Sequence, residues 1–77
     1  MIYRGRWEIT LSFHATMRAV QKGITEDIVK ATLKNGKMKW FAKNNVLFTC
    51  KYKMGTVVCV GELKESNTIK IFTVEWR

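Results

Sequence analysis

Apolar and polar residues alternate first along Trp7-Glu8-Ile9-Thr10-Leu11-Ser12, the period-two signature of a half-buried strand. The period then changes. Phe13, Met17, Val20 and Ile24 fall at i, i+4, i+7 and i+11, which predicts a helix over Ser12–Lys22 with that stripe turned to the core. Ser12 is placed to cap its start, and Gly23 to end it in a left-handed turn. His14, Arg18 and Lys22 form a second stripe on the adjoining flank. Thr25 caps a second helix, with Glu26 and Asp27 in the first turn where negative charge suits the dipole. Ile28, Ala31 and Asn35, flanked by Val29, Thr32 and Leu33, give it a core side, and Gly36 stops it. Only Gly23-Ile24 separates the two helices, so they form a tight corner.

From Met38 the chain reads as strands: Met38–Ala42, Val46–Lys53, Thr56–Glu62 and Thr68–Trp76, separated by polar turns. Val46, Phe48, Cys50 and Tyr52 alternate with Leu47, Thr49, Lys51 and Lys53, leaving one wet, cationic face. The last strand has apolar residues of both parities, which predicts either an inner strand covered twice or a bulge near Phe72. The order β-α-α-β-β-β-β predicts an α+β fold, with two helices on one face of a mainly antiparallel sheet of four to five strands.

Composition narrows the partners. Seventy-seven residues make one domain near the lower limit for a self-sufficient core, and a homodimer would help one this small. The net charge of +8 is unevenly spread: Ile28 to Gly61 holds seven lysines and no acid, interleaved with Trp40, Phe41, Phe48 and Tyr52. A block of that kind favours a polyanion, RNA or another nucleic acid, through counterion release and stacking. No apolar run approaches the ~20 residues of a membrane span, and the N-terminus does not read as a signal peptide, so the cytoplasm is the expected compartment. Cys50 and Cys59 with a single histidine make no zinc site. A two-residue Met54-Gly55 loop would set these cysteines opposite each other, whereas a longer loop would shift that register. Two buried thiols in a reducing compartment is the favoured reading.

Scattered acids, no Gly-rich phosphate loop and no nucleophile motif leave RNA cleavage by the neighbouring 2′-hydroxyl as the chemistry these residues suit, with no metal or cofactor. That reaction needs a base, an acid and fixed positive charge. Histidine has an unperturbed pKa near neutrality, so His14 is the natural base or acid. Arg18, one turn on, can fork onto a phosphate, unless Glu8 or Glu75 holds it in an ion pair. Lys22, Lys39, Lys51 and Lys53 are the candidate nucleic-acid contacts.

The run Ser-x-His-Ala-x-x-Arg-x-x-x-Lys-x-Ile from Ser12 to Ile24, followed by an acid-led helix ending in Asn35-Gly36, resembles a family of small bacterial and archaeal domains of unknown function. That family is grouped with the RelE-like and barnase/EndoU/colicin-type metal-independent ribonucleases. The likeness resumes at Thr73-Val74-Glu75-Trp76, although Lys22 replaces a more usual Arg and Glu75 precedes the final aromatic. The resemblance implies a RelE-like architecture, a toxin-type endoribonuclease and a polar site on the last strand, with Thr73 joining His14 and Arg18. Two other readings stand beside it: a non-catalytic nucleic-acid-binding module, and a small basic domain that pairs with an acidic protein.

Overall fold

Residues 1–77 are described by a computed structural model. They run as β1 (Ile2–Arg4), β2 (Trp7–Leu11), α1 (Phe13–Gln21), α2 (Glu26–Asn35), β3 (Lys37–Phe41), β4 (Asn45–Tyr52), β5 (Gly55–Leu63) and β6 (Thr68–Trp76). The fold is α+β with two helices, as expected, but the sheet has six strands rather than four or five. The additional strand, β1, is three residues long and turns back through Gly5, which takes a left-handed φ of 56°. With only Ile2 buried, β1 is too short to show a period.

The strand order is β1-β2-β6-β5-β4-β3. The β2–β6 pair is parallel, so the sheet is mixed where a mainly antiparallel one was expected. The reason is the route of the chain. After β2 it leaves through both helices, re-enters at the far edge, and meanders back until β6 lies beside β2. The register of β5 on β6 shifts between Val60 and Gly61, with Phe72 the extra residue. Of the two expectations for β6, the bulge is the one realised. It puts Ile69, Ile71 and Val74 in the core although their spacing breaks the alternation.

The sheet curls. Trp7 on β2 and Trp40 on β3 lie with ring centroids 5.2 Å apart, although β6, β5 and β4 separate their strands. The face carrying both rings is therefore concave, and it holds the core. Ile9, Leu33, Val46, Phe48, Val57, Cys59, Ile69, Ile71 and Val74 are fully shielded there. α2 packs on β1, β4 and β5, burying Val29, Thr32 and Leu33, whereas Asn35, expected on its core side, is exposed. The Thr32 hydroxyl donates to the Ile28 carbonyl at 2.8 Å and lies 3.0 Å from the Tyr52 hydroxyl. Burial raises the Tyr52 pKa above its usual value, and the Thr32 bond offsets part of that rise. Gly36 follows α2 in extended conformation, and only glycine fits there, because a Cβ would collide with the Thr32 and Thr49 carbonyl oxygens.

α1 corrects the sequence reading more sharply. Its buried residues are Ala15 and Ala19, while Phe13 is 81% and Val20 68% exposed. At 100° per residue, the stripe of Phe13, Met17 and Val20 is centred about 150° from the two alanines, on the other side of the helix. The small side chains let the helix settle closely on β6, and the larger apolar stripe faces out; only Ile24 of the expected core set is buried. The caps form as expected. Ser12 Oγ accepts from the Ala15 N–H at 3.0 Å. Gly23, with φ at 71°, lets its own N–H reach Val20 O and that of Ile24 reach Ala19 O.

The β4–β5 loop is Lys53-Met54, so Tyr52 pairs with Gly55, Cys50 with Val57 and Cys59 with Phe48. The cysteines are not opposite each other, and both are free thiols. Cys50 is half-buried, and burial pushes the Cys59 thiol up to about 12. No helix is long and apolar enough to cross a membrane.

Candidate functional site

Two hydrogen bonds fix α1 against the far half of β6, beyond the point where β2 ends. At its start the Ser12 N–H donates to Ile71 O at 2.9 Å, and at its end the Trp76 indole N–H donates to Lys22 O at 2.8 Å. Between them Arg18 faces the strand. Its Nε and Nη2 donate to one oxygen of Glu75 at 3.0 and 2.5 Å. Lys22 Nζ stands 3.6 Å from the other oxygen, and the Thr73 hydroxyl donates to the Arg18-bound oxygen at 3.3 Å. The hydrogen bond from Arg18 is the largest cause holding the Glu75 carboxyl below the usual carboxylate range, with the charges of Arg18 and Lys22 adding to it. Arg18 and Glu75 keep 37% and 32% of their side-chain surface, so the pair is open to solvent and to a ligand.

His14 is exposed on α1 one turn before Arg18. The helix flank that was expected to carry an imidazole above two cations therefore borders the polar end of β6, and the fold gathers Arg18, Lys22 and Thr73 around Glu75. Of the two ion-pair partners open to Arg18 in the sequence, Glu75 is the one it takes. No three His, Cys, Asp or Glu side chains come together anywhere in the fold.

Lys39 and Lys51 are exposed on the convex face, opposite the one that holds the core. Pairing defines two rows across it: Lys37–Thr49–Val58–Glu75 and Lys39–Leu47–Val60–Thr73. Lys39 and Thr73 thus end one row, roughly 14 Å apart by three strand spacings. Lys51, paired with Thr56, lies one row beyond Lys37, and Lys53 sits in the hairpin turn. Lys37 belongs with these residues and was not singled out in the sequence. Its two-residue spacing from Lys39 was the available signal.

A groove of about 570 Å³ lies on the opposite flank of α1, lined by Ile2, Ile9, Leu11, Val20, Ile24 and Val29 with Glu26 and Lys30 among its polar contributors. It includes none of the Arg18–Glu75 cluster. Comparisons with protein-family models, curated proteins and solved structures return no match to this chain.

Proposed function

We propose that this protein is a toxin-type endoribonuclease that cleaves RNA without a metal, at the flank of α1 bordering the end of β6. The RelE-like arrangement implied by the Ser12–Ile24 motif belongs to the same reading: an N-terminal strand, two helices, then a four-strand meander. The observation that carries it is the gathering of Arg18, Lys22 and Thr73 around Glu75, with His14 exposed one turn away.

Cleavage requires a base to take the 2′-OH proton as that oxygen attacks phosphorus, and an acid to protonate the departing 5′-oxygen. Glu75 and His14 are the titratable pair beside the two cations. Glu75 is a carboxylate at neutral pH and can receive the proton, although Arg18, by holding its pKa below the usual range, makes it a weaker base while the pair is intact. An incoming phosphate competes for Arg18 and Lys22, and as it draws them away the Glu75 carboxylate becomes more basic. Arg18 then stabilises the extra charge on the phosphorane with a forked pair of hydrogen bonds. His14 hands its proton to the 5′-oxygen. The products are a 2′,3′-cyclic phosphate and a free 5′-hydroxyl.

The test is purified protein on single-stranded RNA with chelator present, alone and on ribosomes. Cyclic-phosphate ends are expected, together with resistance of RNA bearing 2′-deoxy at the scissile position. His14→Ala, Arg18→Ala and Glu75→Gln should each slow cleavage by roughly a hundredfold or more. RNA left intact in both settings rejects catalysis. The second reading, a non-catalytic RNA-binding domain, is then favoured by a specific observation: Lys37, Lys39 and Lys51 are exposed on one face of the sheet. In that case binding should weaken with salt at about −0.7 log units per phosphate contacted, and Lys51→Gln should flatten that slope.

A further inference from the structure

We infer that the groove between α1 and α2 is where a second copy of this chain docks, forming a two-fold dimer. This goes beyond the RNA reading and does not depend on it. Phe13, Met17 and Val20 form an outward stripe along α1, and of nine large apolar side chains exposed in the whole molecule, three lie on this one strip of helix. Val20 is also a wall of the groove, whose lining includes the buried Ile9 and Ile24. Stripe and groove are therefore one continuous apolar surface, of the kind that marks a contact on a small protein.

Apolar area alone fits many partners, and the charge around it selects one. Glu26 and Lys30 both edge the groove, one turn apart on α2, with Nζ and the carboxylate 3.8 Å from each other. With Asp27 beside Glu26, the first turn of α2 holds two of the six acids in the chain. An acidic protein is repelled there and is drawn instead to Lys37, Lys39 and Lys51 on the other side of the sheet. A second copy brings a match. Across a two-fold axis that crosses α2 the two helices run antiparallel, so Glu26 of each copy faces Lys30 of the other. An i, i+4 pair of opposite charges is self-complementary in that arrangement, whereas parallel helices would set like against like. Val20, on the same groove, lies near the axis and meets its counterpart.

The net charge of +8 does not forbid this contact. The convex-face lysines stand across the thickness of a domain whose shortest dimension is 22 Å. At physiological salt, charges more than ~8 Å apart are largely screened. A standard interface takes about 800 Å² from each partner, about a sixth of the 4999 Å² available here. Stripe and groove are only part of such a face. The dimer therefore forms at high protein concentration and parts on dilution, when Phe13 and Val20 return to water. At 100° per residue Arg18 points about 130° away from the stripe, so docking leaves the Arg18–Glu75 cluster open in both copies.

The experiment is sedimentation equilibrium at low salt, from micromolar to millimolar protein. The mass should rise from 9.0 kDa towards twice that value. Val20→Glu sets two carboxylates against each other in an apolar contact and should leave the chain monomeric throughout. Since Val20 is exposed in the single copy, its melting curve in dilute solution should stay native. Glu26→Lys and Lys30→Glu should each weaken self-association roughly tenfold, two exposed ion pairs being exchanged for repulsions. Mixed in equal amounts, those two variants should associate at least as tightly as the unmodified chain, because each facing pair is again of opposite sign. A chain monomeric at every concentration overturns the proposal and leaves the groove to a different protein. A dimer indifferent to Val20→Glu also overturns it, since the copies then meet elsewhere. So does a mixture of the charge variants that associates no better than either alone, and that result decides even if Val20→Glu fails to fold.

Discussion

The two helices are similar in length and capped at their N-termini in the same way, yet they meet the sheet by opposite means. α2 buries Val29, Thr32 and Leu33 against the concave face and presents lysines to solvent. α1 buries two alanines and leaves Phe13 and Val20 exposed. Large side chains anchor α2, with Tyr52 joining the Thr32 hydroxyl and the Ile28 carbonyl below it. α1 is held instead through its ends and through Arg18, by Ile71, Trp76 and Glu75 on one strand. A helix that approaches on alanines lies close enough for Arg18 and Lys22 to reach a carboxylate on that strand. Packing that contributes less apolar burial thus creates the polar cluster. The same residues were expected to anchor α1 through Phe13 and Met17, which would have turned the cationic flank elsewhere.

The contrast makes a hierarchy of effects, measurable by urea unfolding of single variants. Leu33→Ala in α2 should cost about 2–5 kcal/mol, the range for a fully buried leucine. Phe13→Ala should change stability by no more than about 0.5 kcal/mol, because the ring is already in water. Comparable losses at the two positions would break the comparison. Next in size is Ala19→Leu, which overpacks the seam between α1 and β6 and should cost about 1–3 kcal/mol. An increase in stability would show that α1 has room to move outward. Gly23→Ala should cost about 1 kcal/mol, since its left-handed φ of 71° is strained for any residue with a Cβ although the space around it is open.

The smallest effect is in acid. The Glu75 carboxyl is depressed in the folded state, so its pairing stabilises fully above the unfolded carboxylate pKa of ~4.3. That stabilisation disappears as pH falls through the lower, folded value. Glu75→Gln should therefore reduce stability slightly at neutral pH and flatten its decline between about pH 5 and 2. An acid limb identical in the two proteins would show that Arg18 and Lys22 gain nothing from Glu75 in solution.

Local features were legible because their causes are local. Ser12, Thr25, Gly23 and Gly36 bracket both helices through backbone groups within a few residues. The strands from β3 to β5 follow from alternation, and the acid-free lysine block is visible by counting. The orientation of α1 was not legible, since two apolar stripes were present and only the closeness of β6 selected the smaller one. Nor was β1, three residues made a strand by pairing rather than by pattern, nor the bulge at Phe72, where register alone decides between two readings of the same parities. Arg18 was legible as a cation in search of an anion; that the anion is Glu75, 57 residues away, followed only from the parallel placement of β2 beside β6. Residue type and short-range spacing determined which groups this protein carries. Long-range strand order, set by burial of the whole concave face, determined which of them meet.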